Sequence, residues 1–454
     1  MNRLSVSEVA GTPRRPRRSE NAIVMKATVY DELPAEAVLE HVRPGMHILS
    51  PIQNGAPPAL LRALDAGAEG FSGVTIHHMD PWESLPFMEG AYPGRLRHVD
   101  YFLGPGSRKN FHEGRCDLVP VDFAQVPATL REFSPPGLAV TTVSEIDEHG
   151  FFSMGTNADY VASFIGQVPF FVEVNANMPR TFGRNHIHIS QVVGVTRNDV
   201  PMITIEPPVP GDVESAIADI IAERVPDGAC LQLGVGKLPN AFLSRLTGHE
   251  NLGIHTEALS DGVMDLVDAG VIDGSRKTGR PFKHVTTFAV GSQKLMDWLH
   301  NNPSVAMLPV DIVNDPRVIG QEHNLHSVNA TSEVDLYGQA ASETIGGRYW
   351  SGAGGQADFA RGCRFSPGGH GFIVTPSQTS GGISRITLSL TPGSPVTTHK
   401  NIIDNVVTEY GIAALRGRSV SARAAALIEI AHPDHRERLS RQAREAGLLP
   451  RVMH

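Results

Sequence analysis

One local pattern occurs twice in the chain, and it sets the class of fold. A turn at Pro44-Gly45 leads into a short apolar strand (Met46 to Leu49) and a second turn at Asn54-Gly55. A helix then opens at Pro57 or Pro58, with Leu60, Leu61 and Leu64 on one side. From Asp227-Gly228 the same order returns: a strand Cys230 to Leu233, the turn Gly234-Val235-Gly236, and from Pro239 a helix carrying Phe242, Leu243 and Leu246. The two stretches align with a one-residue gap. Each is one strand–turn–helix step of an α/β sheet, and two copies imply two open α/β domains of similar plan. The Pro-rich link Glu206-Pro-Pro-Val-Pro-Gly211 is the natural division, giving domains over 23–207 and 208–454.

The rest of the chain fits this plan. Helices are expected over Pro34 to His41 and after Asp212, where Ile217, Ile220 and Ile221 share a face. Phe170 to Val174 reads as a buried strand. The second half alternates strand His284 to Val290, helix Ser292 to Leu299 and strand Val305 to Leu308, followed by a loop at Asn314-Asp315-Pro316. A glycine loop spans Ser351 to Phe359, strands span Gly371 to Val374 and Ile383 to Leu390, and helices broken at Pro433 run from Ala422 through Ala446.

Composition excludes several classes of function. The 454 residues carry a net charge of −9, so no general attraction to nucleic acid or to an anionic membrane is expected. No apolar run approaches the roughly 20 residues that span a bilayer. The cysteines Cys116, Cys230 and Cys363 are far apart, which argues against a disulfide framework and fits a reducing cytoplasm. Arg14, Arg15, Arg17 and Arg18 stand beside Pro13 and Pro16 without a following apolar segment of signal-peptide length, so residues 1–22 read as a disordered basic tail. His186 and His188 alternate on one strand face but lack a third ligand at a telling spacing. No metal site is expected.

Chemistry centres on His255-Thr256-Glu257-Ala258-Leu259-Ser260-Asp261-Gly262, between an apolar strand (Leu252 to Ile254) and a helix (Val263 to Val267). A carboxylate at a strand exit points into the crevice where such sheets bind ligands. Gly234-Val235-Gly236 and Gly352-Ala-Gly354-Gly355-Gln356 are neither dinucleotide fingerprints nor P-loops, because the third glycine or the Gly-Lys-Ser/Thr ending is missing. Their backbones can approach a ligand closely and present N–H groups to a developing oxyanion. A nucleophilic glutamate with such donors is a coherent set for acyl transfer.

The stretch Thr256-Glu257-Ala-Leu-Ser-Asp-Gly262 resembles the S-E-x-x-x-D-G stretch of the acetyl-CoA hydrolase/transferase family, a branch of the class I CoA-transferases. So do Asn177-Met-Pro-Arg180, Gly234-Val-Gly236, Glu333-Val-Asp-Leu-Tyr-Gly-Gln339, Gly354-Gly-Gln-Ala-Asp-Phe359, Val407-Thr-Glu-Tyr-Gly411 and Ala431-His-Pro-Asp-His-Arg436, in that order along the chain. The form Gly-Gly-Gln-x-Asp-Phe looks most like the butyryl-CoA and 4-hydroxybutyrate CoA-transferase group. Ala258-Leu259 and Gln191 depart from the usual pattern and are candidate acyl-pocket residues.

The resemblance implies an active site in the cleft between the two domains, a homodimer or homotetramer, and no permanently bound cofactor. Acyl-CoA and short-chain carboxylates would be the substrates. It makes Glu257 the covalent nucleophile of a ping-pong CoA transfer and places the N–H groups of Val235 and Gly355 in an oxyanion hole. Asn314 would stand near the CoA thioester, with Gly234, Gly236, Gly354 and Gln356 flanking the site. Arg361, Arg364, Arg385 and Lys400 are candidates for the CoA phosphates. The rival readings are an acyl-CoA hydrolase, a CoA-binding regulatory protein and a sugar-phosphate isomerase-like enzyme. The last lacks phosphate-loop signals.

Overall fold

The computed structural model describes residues 30–450. The basic tail and the first residues assigned to the N-terminal domain lie outside this range.

Seven strands form the first sheet: β1 (His47–Ser50), β2 (Val74–His78), β3 (Leu96–Asp100), β4 (Asp117–Leu118), β5 (Pro136–Val143), β6 (Phe170–Val174) and β7 (Val192–Arg197). Their order is β4-β3-β2-β1-β5-β6-β7, and every pairing is parallel. Such a sheet must bury both faces. The apolar runs His47–Ser50 and Phe170–Val174 do so, with Ile48 and Phe171 facing one core and Leu49 and Phe170 the other.

The second sheet has the order β9-β8-β10-β11-β12-β13. Its strands are β8 (Cys230–Leu233), β9 (Gly253–Ile254), β10 (Leu325–Ala330), β11 (His370–Val374), β12 (Asn405–Thr408) and β13 (Gly411–Ala414). All pairs are parallel except the last. In each sheet the first strand has its sequence successor on one side and a later strand on the other, so β1 and β8 both border a topological switch point. These are the two strands of the repeated sequence pattern, and the helices Pro58–Ala66 and Lys237–Ser244 follow them.

Several boundaries differ from the sequence reading. Ala35–His41 is a 3-10 helix, and the helix after β8 starts at Lys237, with Pro239 in its first turn. Gly211 caps the helix Asp212–Ala222, and Asp212 is its first residue. The run His284 to Val290 is two short strands, His284–Thr286 and Phe288–Ala289, because the backbone bends at Thr287 to donate to the Glu257 carbonyl. Of Ile383 to Leu390 only Ile386–Thr387 forms a strand, while Ser384 makes an isolated antiparallel bridge with Gln378.

One apolar core joins the two halves, running from Leu49, Phe164 and Val172 to Ile254, Leu259 and Met307. Backbone bonds reinforce it. Phe123 donates to the Gly354 carbonyl (3.0 Å) and Ala289 to that of Thr156 (2.8 Å). Residues 198–211 carry neither helix nor strand, and we propose that the chain passes from one domain to the other there.

Candidate active site

Glu257 lies three residues beyond the end of the edge strand β9, and its backbone is held from both sides. Thr256 Oγ1 donates to the Leu233 carbonyl (2.9 Å) and accepts from the Leu233 amide (3.1 Å), pinning this segment to the end of β8 beside Gly234. The Glu257 carbonyl accepts from Thr286 Oγ1 (2.9 Å) and from the amides of Thr287 (3.1 Å) and Phe288 (3.2 Å).

The side chain is equally constrained. Asn314 Nδ2 donates to Glu257 Oε2 at 2.6 Å, and the Gly355 amide also donates to this carboxylate. Burial pushes the Glu257 carboxyl up to about 7, while the two donors pull in the other direction. Gly355 caps the helix Gln356–Phe365, so the positive end of that helix lies close to the carboxylate. No larger residue fits there. A Cβ on Gly355 would overlap both Glu257 Oε2 and Asn314 Nδ2. Its neighbour Gly354 has φ +56°, which L-residues rarely adopt.

The sequence placed Asn314 in a loop. It sits between two short helices, Val310–Val313 and Pro316–Ile319, and is wholly buried. Likewise the glycine loop ends at Gly355, and Gln356 through Phe359 belong to a helix. This change has a chemical consequence, because it converts the loop's end into a helix N-terminus.

A cleft of about 750 Å³, counted out to its open mouth, spreads in front of Glu257. Gly234, Val235, Gly354, Gly355 and Gln356 all line it. Gly236 opens instead onto an adjoining cavity, with φ +124°. Gln356 Nε2 is engaged by Thr398 Oγ1 (3.0 Å).

Other expectations fall elsewhere. Ala258 lines the cleft, whereas Leu259 belongs to the core. Gln191 accepts from the His188 amide (3.2 Å) and closes a small cap there. His188 itself bonds Ser190 Oγ (2.8 Å). Among the described residues no group of three or more His, Cys, Asp or Glu side chains is arranged to hold a metal ion. None of Arg361, Arg364, Arg385 and Lys400 lines the cleft. Arg361 faces Asp122 (3.5 Å), and Arg385 donates to the Ser332 carbonyl (3.0 Å).

Four polar residues of the cleft region went unnoticed in the sequence. Gln232 and Asn329 form a reciprocal amide pair (3.1 and 2.9 Å) on neighbouring strands β8 and β10. The signal for Gln232 was available: it is a polar residue inside the otherwise apolar Cys-Leu-Gln-Leu strand. From the first domain come Gln53 and Asp80, joined at 2.9 Å. Both have positive φ, +48° and +49°. Burial pushes Asp80 up to about 6.

Two domain families match the chain. Residues 86–210 match the N-terminal domain of acetyl-CoA hydrolase/transferase, and residues 291–443 match its C-terminal domain. The succinyl-CoA:cyclohexane-1-carboxylate CoA transferase of Geobacter metallireducens is 44% identical over 90% of this chain and 94% of its own. The chain belongs to the acetyl-CoA hydrolase/transferase family. The 4-hydroxybutyrate coenzyme A transferase of Clostridium kluyveri is 43% identical over 85% of this chain and 90% of its own. A crystal structure of 4-hydroxybutyrate CoA-transferase from Porphyromonas gingivalis superposes with a TM-score of 0.78 at 35% identity, covering 91% of this chain and 97% of that one. The protein is accordingly an enzyme of the CoA-transferase class, and its two sheets are those of a CoA-transferase fold. No helix among the described residues is long and apolar enough to cross a membrane.

Proposed function

We propose that this enzyme moves CoA between short-chain carboxylic acids through two covalent intermediates on Glu257. The observation that carries the reading is the arrangement of one part-buried carboxylate with two donors, Asn314 Nδ2 at 2.6 Å and the Gly355 amide, in the wall of a cleft lined from both halves of the chain.

The Glu257 carboxylate attacks the thioester carbonyl, the C–S bond breaks, and an acyl-glutamyl anhydride forms with release of CoA thiolate. The thiolate attacks the glutamyl carbonyl of the anhydride and expels the first carboxylate. The enzyme then holds CoA as a glutamyl thioester. An incoming carboxylate reverses both steps and leaves with CoA, so no proton or water is consumed. The N–H groups of Val235 and Gly355 serve the oxyanions that form at each attack. Donors of this kind contribute about 3 kcal/mol each in acyl-transfer enzymes.

The acids named for the relatives, cyclohexane-1-carboxylate and 4-hydroxybutyrate, give the first panel of acceptors. The enzyme is given butyryl-CoA with and without excess acetate, and acetyl-CoA and free thiol are followed separately. The expected result is acetyl-CoA that appears only with acetate, with little free thiol. Thiol released at the same rate without acetate is the result of a hydrolase and contradicts the proposal. Assembly as a homodimer or homotetramer is part of the same proposal and is read from the mass of the native particle.

A further inference from the structure

The switch point of the second sheet falls between β8 and β10. The crevice beyond the strand ends at such a point is where open α/β sheets bind ligands. Gln232 and Asn329 stand there. In the strand register Gln232 is opposite Ser327. Side chains two residues apart along a strand share a face, so Asn329 lies on the same face, one pleat closer to the strand end. The Gln232 side chain spans that step and closes the reciprocal pair, Nε2 to Asn329 Oδ1 at 3.1 Å and Asn329 Nδ2 to Oε1 at 2.9 Å.

Both residues line the cleft in front of Glu257. Gln232 is buried, whereas Asn329 is partly exposed. A carboxamide has two N–H donors and two acceptor sites, and the reciprocal pair uses one of each. Among the described residues no other group bonds either side chain. Asn329 therefore keeps an N–H and an acceptor site for a ligand, while Gln232 fixes its orientation from behind.

The rest of the cleft narrows what that ligand is. Ile52, Met79, Phe102, Phe123 and Phe288 give it apolar walls, and among the described residues no Lys, Arg or His lines it. The phosphates of CoA find no cation here, but its uncharged arm fits. The sulfur of CoA is joined through two methylenes to a secondary amide, so an arm whose thioester reaches Glu257 brings that amide into the same cleft. Between apolar walls an amide without a partner weakens binding. The other polar pair of the cleft, Gln53 with Asp80, includes a carboxylate, which when ionised accepts but cannot donate. Asn329 can do either.

We infer that Asn329, held by Gln232, binds the secondary amide next to the sulfur of the CoA arm and thereby positions the thioester against Glu257. The inference rests on the proposed attack of Glu257 on that thioester.

The test compares butyryl thioesters of two thiols of similar length: N-acetylcysteamine, which carries this amide, and pentane-1-thiol, which lacks it. Butyrate release is followed with excess acetate, because transfer and hydrolysis both produce it. The variant is Gln232→Met combined with Asn329→Leu, in which both partners become apolar together and neither is left unpaired. In this variant the ratio of kcat/KM for the amide thioester to that for the alkyl thioester should fall about five- to tenfold, the size of one hydrogen bond. A ratio equal to the parent's overturns the inference, even where both rates fall, since a merely structural role weakens the two substrates alike.

Calorimetric titration with CoA separates this inference from the reading beneath it. The variant should bind CoA about five- to tenfold more weakly than the parent, and an unchanged Kd overturns the inference. If the parent binds CoA with that difference but releases no butyrate from any butyryl thioester, CoA included, the proposed chemistry on butyryl groups at Glu257 fails and the amide contact stands.

Discussion

The Nε2 of His255 donates to the carbonyl oxygen of Val313 at 2.7 Å. His255 is two residues before Glu257 and Val313 is one before Asn314, so this bond latches the carrier of the carboxylate to the carrier of its principal donor. Behind the latch lies a buried ion pair. Glu322 Oε1 is 3.3 Å from Lys277 Nζ and 3.8 Å from His255 Nδ1, and Lys277 also donates to the Ile254 carbonyl (2.6 Å).

Removing one partner of that pair exposes its worth. Burial alone would raise the Glu322 carboxyl, but His255, Lys277 and the Gly279 amide outweigh it and hold the pKa at about 2. Lys277→Met leaves a buried carboxylate without its cation and should cost about 3–5 kcal/mol by chemical denaturation near pH 7. The sign with pH follows from the depressed pKa. The contribution of Glu322 is complete above its unfolded pKa of about 4.5 and is lost as pH falls toward 2. The deficit of the variant should therefore shrink in acid. Equal stability of variant and parent at pH 7 would contradict this account.

Asn314→Ala removes the 2.6 Å donor to Glu257. Because a donor to the ionised form lowers a carboxyl pKa, its loss should raise the pKa of Glu257 beyond about 7. Two effects are expected together: kcat falls by about 10- to 100-fold, and the acidic limb of the pH–rate profile moves to higher pH. A fall in rate with an unmoved profile would mean that Asn314 acts on substrate alone.

The two adjacent glycines should respond differently. Gly355→Ala drives a methyl group into Glu257 and Asn314 and should reduce kcat by about 100-fold or more, as loss of an oxyanion donor does. Gly354→Ala meets only the Phe102 ring, at 3.4 Å, but must hold φ near +56°. Its expected cost is about 1 kcal/mol of stability with a milder loss of rate. Equal kinetic damage from both would show that backbone strain, rather than contact with Glu257, governs this loop.

Glu257 is held in an environment that disfavours its charge. The native state retains the proton up to about pH 7, whereas the unfolded chain loses it near 4.5. Stability therefore falls as pH rises between these values and levels off above 7. Glu257→Gln escapes the penalty. It should match the parent near pH 4 and exceed it by about 2–3 kcal/mol at pH 8, measured by urea unfolding at both pH values. A variant less stable than its parent at pH 8 would show that the carboxylate stabilises the fold.

Much of this architecture is legible in the residues themselves. The strands Cys230–Leu233 and Phe170–Val174 are uninterrupted apolar or near-apolar runs bounded by turn residues, and they appear with the expected limits. Glycine and proline mark the repeated step because their backbone constraints are local. Asn314 was hidden by its context, since Asp315-Pro316 reads as a turn while tertiary contacts fold four-residue helices on either side. Gln53 and Asp80 were hidden for a different reason. They are 27 residues apart, and only the parallel pairing of β1 with β2 brings their loops together at the rim of the cleft. Sequence spacing carries no trace of such a pairing. The candidate site at Glu257 was legible because several chemically suggestive stretches of the sequence point to it.

The central claim is a covalent bond at Glu257, and peptide mass spectrometry tests it most directly. The enzyme is mixed with acyl-CoA in the absence of acceptor acid, quenched in acid, digested and analysed. The account predicts CoA in thioester linkage on the peptide containing Glu257, discharged when acetate is added before the quench and absent from Glu257→Gln. Full transfer activity with that peptide unmodified, or with CoA carried on another residue, would contradict it.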